Sequence, residues 1–244
     1  MTLQLRGLRI SRGGGLLLIA DMVVEAGDCV VLVAPSGAGA SSLAAATCGA
    51  LPAAGEVWLG GRRLGGGPAR RRHRGLAAVL PDLPPLRGCT VEEALGLASR
   101  GGRTPGDAVG RLPLLSGRMG LDCGRLSGGE RQLLRVALAW LARAAALVLD
   151  GPTAGLAGDV AEAVRSLALE EAARGAAVLW LDAAGSTVPA TPRWTIAGRR
   201  VQPAGVGEGV AVGAGEAAAV TAGKGVPEAG GEASRVSRSP SSTE

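Results

Sequence analysis

The sequence predicts an α/β protein: a mostly parallel sheet with helices on both faces, an N-terminal antiparallel β subdomain and an inserted helical subdomain. Three observations carry this expectation. Continuous apolar runs at residues 29–33, 146–150 and 176–181 alternate with helical stretches. A strand apolar along its whole length is buried on both faces, as in a helix-covered parallel sheet. Before residue 60 the chain reads mainly as short strands, and residues 81–125 change to loop and helix punctuated by Pro and Gly.

In chain order, LQLRGLRI (3–10) alternates, 16–19 is apolar, 29–33 is a buried strand, and 56–59 is a short run flanked by glycines. Residues 62–75 form a basic, glycine-rich connection whose Arg70-Arg71-Arg72-His73-Arg74 cluster reads as a solvated loop. A short apolar run follows at 76–80. Within 81–125 the one clear helix is 90–99, where Thr90 and Glu93 have capping-box spacing. Helices at 128–144 and 159–174 then bracket the strand at 146–150 and lead to the one at 176–181. Residues 1–205 are expected to form the folded domain, with the helical subdomain at about 82–140. Residues 206–244 are low-complexity Gly, Ala and Ser without a period and are expected to be disordered.

Composition bounds the function classes. The chain of 244 residues has four Trp but no Phe or Tyr, so Leu, Val and Ala must fill its core. Lys224 is its one lysine, and arginine supplies nearly all the positive charge behind a net +5. That charge is not arranged as a nucleic-acid surface, and no aromatics are interleaved for base stacking. No secretory leader or membrane-spanning run is legible, because Arg135 and Arg143 break the longest candidate. Cys29, Cys48, Cys89 and Cys123 stand far apart with no C-x-x-C pair, and read as small buried thiols of a reducing cytosol.

Two stretches carry chemistry. VLVAPSGAGASSL (31–43) has the layout of a phosphate loop, G-x-x-x-x-G-K-[ST], with Ala34 at the first glycine and Ala40 at the lysine. LSGGERQ (126–132) contains Ser127 and Glu130 at capping-box spacing, which starts an ordinary helix. The same serine, two glycines and helix N-terminus also make an anion site of outward N–H groups. Both readings hold together.

The full heptapeptide resembles the signature of the ATP-binding cassette (ABC) ATPases. ALVLDGPTAGL (146–156) is similar to that family's Walker B strand and D-loop, and TIAGRRVQPAG (195–205) to its closing glycine turn. Motif order and spacing agree over residues 1–205. The resemblance implies a P-loop NTPase fold, ATP and Mg²⁺ as ligands, and a nucleotide site at Ser36, Gly37, Ala38, Gly39, Ala40, Ser41 and Ser42. It implies Ser41 and Asp150 as Mg²⁺ ligands. It also implies that Leu126, Ser127, Gly128, Gly129, Glu130 and Gln132 face the ATP of a second cassette.

Against the family pattern the chain departs at its own site. The lysine on the phosphates is Ala40, and losing such a charge-assisted contact costs about 1.5–3 kcal/mol. The general base is Gly151, the glutamine after the strand is Pro81, and the histidine position falls at Asp182 and Ala183. Arg12 stands where an aromatic stacks on adenine, and Ala157 replaces the D-loop aspartate. Removing a positioned base sacrifices roughly 10²–10⁴ in rate, so the chain alone is expected to be inactive or very weak.

The resemblance therefore implies an ABC transporter subunit with a degenerate site that pairs as a heterodimer with a competent cassette. A separate membrane permease would contact residues at about 81–95, holding the chain on the cytoplasmic face of the cell membrane. Two alternatives stay open: a conventional ABC ATPase, and a non-catalytic scaffold or decayed paralogue docking on a permease.

Overall fold

The computed structural model describes residues 1–81, 86–183 and 193–204. The expected tail at 206–244 lies outside the described residues.

The chain begins with two long antiparallel strands, β1 (Leu3–Arg12) and β2 (Gly15–Val24), each running past the stretch its alternation suggests. β3 (Cys29–Ala34) is buried throughout and leads into α1 (Ala40–Cys48). β4 (Ala54–Leu59) and the two-residue β5 (Arg62–Arg63) complete the antiparallel part. α2 (Pro68–His73) then precedes β6 (Leu76–Val79). The inserted region holds α3 (Val91–Ala98) and α4 (Pro105–Arg111), and α5 (Gly128–Leu141) follows it. β7 (Ala146–Asp150), α6 (Gly158–Ala173) and β8 (Ala177–Ala183) alternate as predicted. A hairpin of β9 (Arg193–Ala197) and β10 (Arg200–Pro203) closes the described chain, its turn made by Gly198 and Arg199 at positive φ.

The ten strands among the described residues form one sheet, ordered β5-β4-β1-β2-β10-β9-β3-β8-β7-β6. β9, β3, β8, β7 and β6 run parallel, whereas β1, β2, β4 and β5 are antiparallel. The predicted mixture of a parallel body and an antiparallel N-terminal part is therefore present. Successive residues of a strand face opposite ways, and the apolar interior divides accordingly. Val31 and Val33 join Val178, Trp180 and Leu149 under α3, α5 and α6. Val30 and Leu32 join Leu179 and Val148 under α1 and the antiparallel strands. The inserted helices share the first of these clusters with the parallel sheet.

Three local expectations change. The basic run at 70–74 is not a loop, because 68–73 are helical, with Pro68 at the first turn. Arg71 donates from Nη1 to the carbonyls of Ala46 (3.0 Å) and Thr47 (2.7 Å), and from Nε to Gly66 O. The Ala46 and Thr47 carbonyls lie in the last turn of α1, where a cation also suits the helix dipole. Second, α4 is a helix the Pro/Gly punctuation conceals, started by a Thr104–Asp107 capping box. Third, Cys89 and Cys123 are distant in sequence yet their sulfurs lie 4.0 Å apart, pinned by the Cys123 N–H donating to Cys89 O. Among the described residues no helix is long and apolar enough to cross a membrane.

Candidate nucleotide site and signature face

Parallel pairing brings the candidate residues to one sheet edge. Val33 lies opposite Asp182 in the β3–β8 register, and Asp150 opposite Leu181 in the β7–β8 register. The ends of β3 and β7 therefore flank the end of β8. Ligands of open α/β sheets bind at such carboxyl ends.

The loop after β3 reverses on two left-handed glycines, Gly37 (φ 81°) and Gly39 (φ 101°), and the Ala38 N–H donates to Pro35 O. Gly39 is the N-cap of α1, and no side chain caps this helix. The first-turn N–H groups are thus left for an external acceptor, and the helix dipole favours an anion there. Ser36 and Ser41 are exposed, Ser42 is half-buried, and the methyl groups of Ala38 and Ala40 pack at the margin of the core. The cradle is therefore present in its backbone, and the cation is missing from its side chains. Ser41 and Asp150 together offer a hydroxyl and a carboxylate, the hard oxygen donors that suit Mg²⁺. Asp150 itself is buried at the end of β7.

Gly151, which the family resemblance sets at the general-base position, has φ +51°. Its N–H donates to Leu181 O at 2.9 Å, and its carbonyl accepts from Ala154 N. A Cβ there would sit in ordinary contact with the Ala154 Cβ at 3.8 Å, but on strained backbone. Asp182 accepts from Trp180 Nε1 (3.0 Å) and from Ala183 N (2.8 Å), so local bonds hold its carboxylate. Pro81 is exposed at the end of the strand before residues 82–85, which lie outside the described residues.

The signature is built differently. Ser127 caps α5 by accepting from Glu130 N, and Glu130 accepts in turn from Ser127 N at 2.8 Å. Arg118, from the turn before, forms an ion pair with the other Glu130 oxygen. The Ser127 N–H first, and then Arg118, hold the Glu130 carboxyl down to about 2. Ser127 and Gly128 are exposed, and Gly129 sits beside Gly155 O and Leu156. Leu126 and Gln132, expected to face a partner with the rest, turn inward and are buried. Gln132 Nε2 donates to Gly151 O (3.2 Å) and Pro152 O (3.1 Å). Its role as a brace across 19 residues has no local sequence signal.

The comparisons agree with this geometry. The ABC transporter family profile matches residues 18–154. The hemin import ATP-binding protein HmuV of Pseudomonas entomophila is 36% identical over 208 residues, covering 72% of this chain and 75% of that protein. The zinc import ATP-binding protein ZnuC of Paramagnetospirillum magneticum is 38% identical over 170 residues, covering 65% and 58%. A solved ATP-binding subunit of an ABC transporter superposes with a TM-score of 0.71 at 25% identity, over 84% of this chain and 90% of that one. A nucleotide-free cassette gives 0.68 at 22% identity, over 82% and 90%. With a glycine-turned anion cradle at one end of β3, a capped signature helix and these relatives, the chain belongs to the ABC transporter family of ATP-binding subunits.

Proposed function

We propose that this chain is an ABC transporter subunit that keeps its fold and signature but not a working site of its own. It pairs with a competent second cassette, as a heterodimer, and presents Ser127, Gly128 and Gly129 to the ATP held there. A separate permease, touching residues at about 81–95, holds the pair on the inner face of the membrane. Residues 1–205 act as the cassette, and 206–244 as an appendage to it.

One contrast supports this reading. The signature turn is capped, its serine and first glycine are exposed, and Arg118 and Glu130 brace it. The chain's own site has Ala40 where a cation is needed and Gly151 where a base is needed. The backbone cradle supports weak nucleotide binding by Ser36, Gly37, Ala38, Gly39 and Ala40, and Ser41 with Asp150 would hold Mg²⁺ beside it. The charge-neutral loop supplies no side-chain cation to stabilise developing phosphate charge, and no carboxylate follows Asp150 to take a proton.

ATP turnover of the complex with the intact cassette tests this, using Ser127→Arg in the present chain. A bulky cation at the exposed cap is expected to abolish the stimulated turnover while leaving the fold intact. Undiminished turnover overturns the proposal.

A further inference from the structure

Cys89 and Cys123 stand on either side of the inserted helices, α3 and α4, and face each other where the two ends of that region meet. Thr90 and Asp122 pair as an antiparallel bridge. The Val91 N–H donates to Leu121 O and the Cys123 N–H to Cys89 O, each at 3.0 Å. Asp122 ties the two segments further, accepting from Gly88 N at 2.9 Å and from Gly124 N at 2.7 Å. Residues opposite one another in such a ladder have Cα atoms roughly 4.5–5.5 Å apart, inside the roughly 4.4–6.8 Å that a disulfide spans. The sulfurs are 4.0 Å apart as thiols. Side-chain rotation, rather than backbone movement, separates them from a bond.

The four thiols are not equivalent. Cys29 and Cys48 are buried, and burial above all pushes them up to about 11 and about 12. Burial, and then the neighbouring Cys89, pushes Cys123 up to about 11. Cys89 is the half-buried one. Buried thiols held in the protonated form are inert, whereas reactive ones are partly exposed in electropositive surroundings. Cys123 also lines a groove of about 670 Å³ between α2, β6, α3 and α5. Its apolar floor includes Leu134 and Leu138, and its rim carries Arg72, Arg100 and Arg131. Among the described residues no carboxylate lines it. The sulfur pair therefore lies beside positive charge, which draws anionic reagents.

We propose that Cys89 and Cys123 form a reversible dithiol–disulfide site, oxidised by an anionic low-molecular-weight disulfide and closing a covalent bridge at the base of the inserted region. The Cys89 thiol gives its proton to solvent, and its sulfur attacks one sulfur of the reagent R–S–S–R. The reagent S–S bond breaks, a Cys89–S–S–R mixed disulfide forms, and RS⁻ leaves and takes up a proton as RSH. Cys123 then attacks the Cys89 sulfur, and its proton goes to the second departing RS⁻. Two cysteine thiols are oxidised, and one reagent disulfide is reduced to two RSH. The bridge encloses α3 and α4. Cys123 also opens the turn at 123–125 that runs into Leu126 and Ser127, so the bridge restrains the approach to the signature. The site stands on the thiol geometry and does not depend on pairing with a second cassette.

The test incubates the full chain with oxidised glutathione, an anionic disulfide, then alkylates the remaining thiols and maps the peptides by mass. Expected are loss of two of the four thiols, a peptide pair joined through Cys89 and Cys123, and recovery of all four thiols with dithiothreitol. Amide hydrogen exchange in α3 and α4 is expected to slow on oxidation, because a cross-link restricts local opening. Cystamine, a cationic disulfide, is expected to react several times more slowly at low salt. Cys123→Ser is expected to stop the reaction at a mixed disulfide on Cys89. Cys89→Ser, at a half-buried position with little bearing on folding, is expected to leave Cys123 a thiol. Absence of the joined pair, linkage through Cys29 or Cys48 in comparable yield, or unchanged exchange in α3 and α4 overturns the proposal. So does cystamine reacting as fast as oxidised glutathione, or Cys123 reacting as readily without Cys89.

Discussion

Gln132 and Gly151 are joined side chain to backbone: the Gln132 amide donates to the Gly151 carbonyl at 3.2 Å and to Pro152 O at 3.1 Å. The helix that begins with the signature is thereby tied to the turn that follows the Walker B strand. Gln132→Ala takes this donor from Pro152 O, whereas Gly151 O keeps the Ala154 N–H, and an unmet buried polar group costs roughly 1–3 kcal/mol. Urea unfolding is expected to show a lowered midpoint with unchanged slope. An unaltered midpoint would remove the brace from the account.

At the phosphate loop, Ala40→Lys restores a side-chain cation to a backbone cradle already in place. Nucleotide affinity is expected to rise by about tenfold to a hundredfold, the equivalent of one charge-assisted contact. Hydrolysis does not follow. Adding Gly151→Glu puts a side chain on backbone at φ +51°, which strains it by about 1–2 kcal/mol, and Pro81 still offers no amide. Titration of ATP and an ATPase assay on the single and double variants separate the two effects. Brisk turnover in the double variant would contradict this reading.

The Glu130 carboxyl is depressed from 4.5 to about 2. A depressed acid contributes stability that is fully present above its unfolded value and is lost as pH falls through the folded one. The signature turn should therefore loosen between pH 4.5 and about 2. Glu130→Gln removes this component, so thermal midpoints measured across that window are expected to fall less steeply than in the parent chain. Parallel profiles would sink the linkage.

Glu171 and Asp150 are the buried acids among the described residues. The Glu171 side chain is 1% exposed and pairs with Arg103 from the inserted region and Arg174 from the end of its own helix. Arg103 also lies over the Trp140 ring, 4.0 Å from its centroid. Glu171→Ala strands two largely covered guanidinium groups, and breaking such a pair by removing one partner costs about 3–5 kcal/mol. Chemical denaturation measures it. A loss below about 1 kcal/mol would mean that solvent already screens the trio.

The elements that were legible had local causes. Uninterrupted apolar runs gave β3, β7 and β8, and the capping boxes at Thr90–Glu93 and Ser127–Glu130 closed as their spacing required. The phosphate-loop turn followed from Gly37 and Gly39, since few other residues hold that backbone. The helix at the arginine cluster has no local signal, because Arg71 is anchored by Ala46 and Thr47, some 25 residues away. For the same reason, nothing around Gln132 or Glu171 announces a brace or a buried trio.

The family motifs, the parallel strands β3, β7 and β8 and the helices between them are legible in the chain alone, as is the presence of Ala40, Gly151, Pro81 and Asp182 where the family resemblance leads one to expect other groups. Which way the signature residues face, what closes the end of α1, and the gathering of cations near α2, α3 and α5 around one apolar floor all come from the folded arrangement. Each of those depends on side chains separated by tens of residues meeting in space. Periodicity and spacing act over a few turns of chain, whereas burial and charge act over a few ångströms.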